Sequence, residues 1–192
     1  MTVFDGIVLA GGLGTRMGSD KALTTLQGET FLERTLGALS DARSVVVVGP
    51  RKSTTRKVVW TREEPAGSGP AAGIAAAMPY VTSPVVAVLP VDLPGLDRVS
   101  VARLVGAMQG DGAALVDDEG SRQLPTGAYR TDALRGALEG AGPLDGLSLR
   151  SALGSLELID VHDPLGIDCD TPEDVALVES RLRARERLGG NA

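Results

Sequence analysis

The feature that most constrains the fold is an alternation of apolar, β-branched runs with amphipathic helical patterns that starts near the first residue. Runs such as Val3–Ala10, Ser44–Val48 and Val85–Leu89 are typical of buried strands. Apolar residues at helical spacing separate them. Strands that alternate with helices pair in parallel through right-handed crossovers. The sequence therefore predicts an α/β fold, a single three-layer α/β/α domain with a mostly parallel sheet.

Capping patterns mark several helix starts. Thr30 and Glu33 have the spacing of a capping box, with Thr30 as N-cap and Glu33 reaching back. Ser100 is the predicted cap of a later helix, and Thr171 followed by Pro172 begins the last one. No linker or internal repeat divides the chain, so we expect one domain over residues 1–188 and a disordered tail over residues 189–192.

Composition excludes several classes of protein. The chain has 192 residues with one Cys and one His, which excludes an internal disulfide, a multi-thiolate zinc site and a two-histidine metal motif. No apolar run approaches the roughly 18 residues of a membrane span, and the N-terminus lacks a signal-peptide pattern. With a net charge of −6 and a pI of about 4.8, nucleic acid is not an expected partner. We expect a cytoplasmic protein.

The charge is unevenly distributed along the chain. Residues 1–62 hold nine Lys and Arg against five Asp and Glu, although the whole chain is acidic. A basic first third is typical of a local site for an anionic ligand. Several of these cations have no predicted ligand, namely Arg43, Arg51, Lys52, Arg56 and Lys57.

A glycine-rich loop, Gly11–Ser19, follows the first predicted strand. It is not a Walker P-loop, because Gly18 is not followed by Lys and Ser or Thr. It is not a dinucleotide fingerprint either, because its third glycine is one residue too far along and no acid ends the second strand. Its bare backbone N–H groups, with Arg16 and Lys21, suit the displacement of pyrophosphate from a nucleoside triphosphate.

Asp92 lies just after the buried run Val85–Leu89, at the expected carboxyl edge of the sheet. This is where ligands of open α/β sheets bind. Mg²⁺ prefers one or two carboxylates together with phosphate oxygens and water. Asp92 is therefore the predicted Mg²⁺ ligand.

Five motifs together carry a family resemblance. They are Leu9–Leu23 (LAGGLGTRMGSDKAL), Gly69–Gly73 (GPAAG), Leu89–Pro94 (LPVDLP), Gln123–Arg130 (QLPTGAYR) and Asp168–Asp174 (DCDTPED). In this order and spacing, the chain resembles the molybdenum cofactor guanylyltransferases, the MobA-type nucleotidyltransferases. The resemblance implies a Rossmann-like nucleotidyltransferase fold. It also implies Mg²⁺-dependent transfer of GMP from GTP to the terminal phosphate of molybdopterin or molybdenum cofactor, which forms the guanine dinucleotide cofactor and pyrophosphate.

The resemblance also assigns residues. Arg16, Lys21 and Asp92 are the expected catalytic residues. An acid after the third strand approaches the nucleotide in this family. Glu63 and Glu64 are the alternatives, and either could accept hydrogen bonds from the N1–H and N2–H₂ groups of guanine. The expected nucleotide contacts are Leu9, Ala10, Gly11, Gly12, Gly14, Lys21, Glu64, Gly69, Pro70, Gly73 and Asp92.

One departure from the family leaves alternatives open. Asp168 and Asp170 stand where the family often has Asn-x-Asn. We expect both residues to contact the acceptor of the nucleotidyl group. Alternatively, one of them is a second ligand of Mg²⁺. The Asp-x-Asp form also occurs in related cytidylyltransferases. A cytidylyl- or adenylyltransferase acting on the same cofactor or another small phosphate is therefore one alternative, and a non-catalytic nucleotide-binding homologue is another. We expect a monomer or weak homo-oligomer that contacts cofactor-delivering or acceptor proteins transiently.

Overall fold

The computed structural model describes residues 2–11 and 20–189, with side chains up to residue 187. The strands are β1 (Phe4–Leu9), β2 (Thr25–Leu26), β3 (Glu29–Thr30), β4 (Val45–Val48), β5 (Val59–Thr61), β6 (Val85–Pro90), β7 (Gly112–Val116), β8 (Arg122–Arg130) and β9 (Leu158–His162). The α-helices are α1 (Phe31–Ala38), α2 (Pro70–Ala77), α3 (Arg98–Ala107), α4 (Thr131–Gly140), α5 (Leu149–Leu153) and α6 (Pro172–Gly189).

The central sheet is mostly parallel. Five strands pair in the order β5-β4-β1-β6-β8, and β7 and β9 pair in parallel beyond them. Strand β8 is the antiparallel exception, with Val88 opposite Gly127. Strands β7 and β8 lie so close that a side chain on Gly112 would meet the carbonyl oxygen of Ala128 at 2.4 Å. The predicted α/β fold with a mostly parallel sheet is confirmed.

Two apolar layers cover the sheet, one on each face. Alternate residues of a buried strand point to opposite faces. In β4, Val45 and Val47 therefore belong to the apolar layer that includes residues of α1, α3 and α6, whereas Val46 and Val48 belong to the layer that includes residues of α2, α4 and α5. The three-layer arrangement follows from strands that are apolar on both faces.

The helix caps agree with the sequence in part. Thr30 is the N-cap of α1, and its hydroxyl accepts the Glu33 backbone N–H at 3.2 Å, as predicted. The reciprocal half of that capping box is wrong, because the Glu33 carboxylate accepts hydrogen bonds from Thr55 instead. Ser100 is not the cap of α3. Asp97 takes that position, and Ser100 supplies the returning contact three residues later.

The sequence did not predict two 3-10 helices, at Lys21–Leu23 and Met78–Tyr80, or the hairpin of β2 with β3. Helix α6 runs through Gly189, one residue beyond the expected domain boundary, so the tail stays a prediction for residues 190–192, which lie outside the described residues. In the described part of the chain, no helix is both long and apolar enough to cross a membrane.

Candidate active site

The carboxyl ends of the parallel strands are joined by backbone hydrogen bonds at one edge of the sheet. The Ala10 N–H donates to the Val48 carbonyl at 2.8 Å, and the Val91 N–H donates to the Leu9 carbonyl at 3.1 Å. Gly49 lies against this junction with φ of +145°, and a side chain there would meet the Ala10 carbonyl carbon at 2.8 Å. These contacts fix the segments that follow β1, β4 and β6 relative to one another.

A cavity of about 370 Å³ opens at this edge. Six of the predicted nucleotide contacts line it: Leu9, Ala10, Gly11, Gly69, Pro70 and Gly73. The remaining lining residues are Asp20, Val48, Pro50, Arg62, Glu63 and Gly67. Of these, only Glu63 was considered from the sequence. The signal for Val48, Pro50 and Arg62 was available, because each lies at or just beyond the carboxyl end of β4 or β5.

The two candidate acids after β5 differ in position. Glu63 lines the cavity and is half-buried, and its carboxylate accepts the Gly67 backbone N–H at 2.9 Å. Glu64 is exposed and is not among the cavity residues. The geometry therefore favours Glu63 as the acid that approaches a ligand in this cavity, and the contact itself stays a prediction.

Lys21 lies at the centre of a group of three carboxylates. Its Nζ atom is 3.6 Å from Asp92 Oδ2 and 3.7 Å from Asp168 Oδ1, and it donates a hydrogen bond to Asp170 Oδ1. The Lys21 side chain is only 19% exposed. Four residues predicted for the site thus meet at one point, including the pair Asp168 and Asp170, which the sequence could not connect to Lys21.

A backbone contact places that acidic pair. The Cys169 N–H donates to the Asp92 carbonyl at 2.8 Å, and the Cys169 side chain is buried in the core. Successive side chains of an extended segment point in opposite directions. Because Cys169 points inward, Asp168 and Asp170 can both reach Lys21. The segment is held from the other side by Asp174, whose carboxylate accepts the N–H groups of Asp170 and Thr171.

Asp92 and Asp168 are harder to ionise than free carboxylates, because the pKa of each is raised. Burial, only partly offset by Lys21, raises the pKa of Asp92. Desolvation and the charges of Asp92 and Asp170 raise the pKa of Asp168 to about 6. Burial alone would lower the pKa of Lys21, but its hydrogen bond to Asp170 and the neighbouring carboxylates raise it. Clustered side chains with shifted pKa values are typical of sites that bind a charged ligand.

Burial and nearby carboxylates raise the pKa of the Cys169 thiol to about 12, so it stays protonated at neutral pH. A buried thiol of this kind is inert and serves packing.

Three predicted residues, Gly12, Gly14 and Arg16, lie outside the described residues. Their roles stay predictions. Gly11 and Asp20, the described residues on either side, both line the cavity.

The described residues suit Mg²⁺ only in combination with a ligand. Within residues 2–11 and 20–189, no three His, Cys, Asp or Glu side chains are arranged to hold a metal ion. Asp92 nevertheless offers a carboxylate that is 31% exposed beside the Lys21 cluster. Mg²⁺ is commonly bound through one or two carboxylates plus phosphate oxygens and water. The donor set therefore fits an ion shared with a polyphosphate.

The fold and the site together define an α/β nucleotidyltransferase. The profile of the MobA-like NTP transferase domain matches residues 6–159, and the chain belongs to that family. A probable molybdenum cofactor guanylyltransferase of Bacillus cytotoxicus is 32% identical over 133 residues, which cover 65% of this chain and 67% of the relative. A molybdenum cofactor guanylyltransferase of Shewanella sp. strain MR-4 is 33% identical over 128 residues, which cover 63% of this chain and 65% of the relative.

Solved structures agree on the fold. Molybdopterin-guanine dinucleotide biosynthesis protein A from Archaeoglobus fulgidus superimposes with a TM-score of 0.73 at 22% identity, covering 94% of this chain and 99% of that one. A 2-C-methyl-D-erythritol 4-phosphate cytidylyltransferase from Thermus thermophilus gives a TM-score of 0.66 at 22% identity, covering 92% and 98%. Both likenesses extend over nearly the whole chain and show the fold.

Proposed function

We propose that this enzyme transfers GMP from GTP to the terminal phosphate of molybdopterin or molybdenum cofactor, with release of pyrophosphate and with Mg²⁺ as the metal. Two relatives at 32% and 33% identity bear the name molybdenum cofactor guanylyltransferase. The observation that carries the proposal is the convergence of Lys21 with Asp92, Asp168 and Asp170 at the sheet edge where the nucleotide-sized cavity opens.

The cavity is the proposed site of the guanosine. Four glycines, Gly11, Gly67, Gly69 and Gly73, are among its lining residues, and their lack of side chains allows a flat base to approach closely. A carboxylate can accept both the N1–H and the N2–H₂ of guanine, a donor pair that cytosine and adenine lack. Of the two candidate acids after β5, Glu63 is the one that lines this cavity.

The reaction then needs charge stabilisation more than proton transfer. An oxygen of the acceptor phosphate, already ionised near pH 7, attacks the α-phosphorus of GTP. The bond from that phosphorus to the bridging oxygen breaks, and pyrophosphate leaves with the electron pair. Lys21 is proposed to neutralise charge on the phosphates, and its raised pKa keeps it protonated. No general base is required.

Asp92 is the residue proposed to hold Mg²⁺, which would supply positive charge to stabilise the phosphates in the reaction. Asp168 and Asp170 are proposed to lie on the acceptor side of Lys21. Their contact with Lys21 keeps the lysine in place until a triphosphate offers it a stronger partner.

The test measures pyrophosphate release with Mg²⁺ and molybdopterin, with GTP, CTP, ATP and UTP assayed in parallel. We expect release with GTP, and a guanine dinucleotide product by mass spectrometry. Release with CTP or ATP instead would establish the cytidylyl or adenylyl alternative. Nucleotide binding without release from any of the four, with molybdopterin in excess, would point to the non-catalytic homologue.

A further inference from the structure

Lys52 is one of the basic residues to which the sequence assigned no ligand. Two others have structural partners: Arg43 pairs with Asp5, and Arg56 donates to carbonyl groups at the end of α1. Lys52 differs because it lies at the active-site edge, in the segment after β4. Its Nζ atom is 2.8 Å from Asp20 Oδ2 and 3.3 Å from the Pro50 carbonyl oxygen, and its side chain is only 8% exposed. An ammonium group so well covered is retained only where it is paired.

Its partner, Asp20, organises the turn that bears Lys21. Asp20 Oδ1 accepts the Ala22 backbone N–H at 3.1 Å, which caps the 3-10 helix, and the Asp20 carbonyl accepts the Leu23 N–H at 2.8 Å. The second carboxylate oxygen of Asp20 binds Lys52. One carboxylate thus connects Lys52 to the first turn of the helix on which Lys21 lies.

The same pair has an electrostatic consequence in the cavity. Asp20 and Pro50 both line it, next to the predicted nucleotide contacts. An unpaired carboxylate at this position would repel a bound triphosphate, whereas a carboxylate paired at 2.8 Å is largely neutralised. Lys52 therefore removes a repulsive charge without occupying the space of the ligand.

We propose that Lys52 is a positioning residue for nucleotide binding, which acts through Asp20 by holding the turn of Lys21 and neutralising the Asp20 charge, and does not itself contact the phosphates. The inference rests on the proposed function only in that a nucleoside triphosphate binds this cavity. It assigns a role to a side chain outside every motif that resembles the family.

A double-mutant cycle tests the coupling, with Mg²⁺–GTP binding and steady-state kinetics measured for Lys52→Met, Asp20→Asn and the double variant. We expect Lys52→Met to lower kcat/KM about tenfold, mainly through KM. Adding Lys52→Met to Asp20→Asn should change kcat/KM by no more than about twofold, because the charge that Lys52 neutralises is already gone. Lys52→Arg should restore most of the affinity. Lys57→Met, which removes an exposed lysine nearby, is the matched control.

Three outcomes overturn the proposal. The first is that Lys52→Met has no more effect than Lys57→Met. The second is that the losses in kcat/KM add in the double variant, as a direct contact of Lys52 with phosphate would require. The third is that Lys52→Arg fails to restore nucleotide binding. If Lys52→Met does not fold, as judged by thermal unfolding without nucleotide, the comparison of Asp20→Asn with the double variant decides alone. If the wild type uses another nucleotide, the proposed guanylyl transfer fails, and the same cycle is measured with that nucleotide. Absence of any nucleotide binding overturns both.

Discussion

Asp5 and Asp92 lie at opposite ends of neighbouring strands and show two different uses of a carboxylate. Asp5, near the start of β1, is fully buried, and its Oδ2 atom accepts the backbone N–H groups of Thr82 and Ser83, each at 2.8 Å. Asp92, just beyond β6, is partly exposed and has Lys21 at 3.6 Å. Burial acts to raise the pKa of both carboxyls, yet the pKa of Asp5 is lowered and that of Asp92 is raised.

The difference is in the partners that the fold supplies. At Asp5, the backbone N–H groups and Arg43 outweigh desolvation, so the ionised form is satisfied without a ligand. At Asp92, Lys21 is shared among three acids and desolvation prevails. A carboxylate whose charge is satisfied by donors and cations within the fold contributes to stability. A carboxylate with too few such partners is available to a metal ion or substrate.

The largest expected effect is at Asp92. Asp92→Ala should reduce transfer by about a thousandfold or more, because the predicted metal ligand is lost, while the free energy of unfolding stays within about 1 kcal/mol of wild type. Kinetics and urea unfolding measure the two quantities. Asp132→Ala, at a fully exposed acid on α4, is the control. Normal turnover in Asp92→Ala would remove the metal assignment.

A smaller loss is expected at Lys21. Lys21→Met should lower kcat/KM about a hundredfold and weaken GTP binding, because three carboxylates then face the triphosphate without their cation. Titration calorimetry with Mg²⁺–GTP measures the affinity, with Lys57→Met for comparison. Unchanged affinity for GTP would show that Lys21 only neutralises the neighbouring carboxylates and does not contribute to nucleotide binding.

At Asp5 the effect should appear in stability instead. Asp5→Asn should lower the free energy of unfolding by about 2 kcal/mol, because the charged acceptor of the Thr82 and Ser83 N–H groups is lost. Urea unfolding gives this value, and the KM for GTP should not change. A change in the KM for GTP with no change in stability would contradict the structural role of Asp5.

The pH dependence of stability supplies the smallest effect. The lowered pKa of Asp5 means that, below about pH 4, the unfolded chain binds more protons at this group than the native protein does. The stabilising contribution of Asp5 is therefore complete above that pH and is lost as the pH falls through its native pKa. The stability difference between wild type and Asp5→Asn should be constant near neutrality and narrow in acid. A constant difference down to pH 2 would contradict the lowered pKa.

The fold was predictable because its determinants are local. A few adjacent residues determine each of the correctly predicted features: the valine strands that are apolar on both faces, the Thr30 cap and the helix start at Thr171-Pro172. The wrong predictions concern helix caps for which two residues or two partners compete. Glu33 had two possible partners, and Thr55, 22 residues away, took the place of the predicted backbone contact. For α3, Asp97 and Ser100 are both good caps, and the sequence alone does not rank them.

The site residues that lie at the ends of strands were predictable from the sequence. The contacts between residues far apart in the sequence were not. Leu9–Gly11 lie at the end of β1, and Asp92 lies just beyond the end of β6. Asp170 and Lys21 are 149 residues apart, so no spacing could reveal their contact. The choice between Glu63 and Glu64 depends on the turn in which Glu63 binds the Gly67 N–H, and Lys52 could be connected to Asp20 only through the packing of two loops.

The hydrogen bond from the Cys169 N–H to the Asp92 carbonyl separates the position of the acidic segment from its charge. A backbone hydrogen bond does not depend on which side chains flank it. The main chain at residues 168 and 170 therefore keeps its distance from Asp92 whichever side chains stand there. A substitution at either position would change the charge beside Lys21 without rebuilding the edge of the sheet.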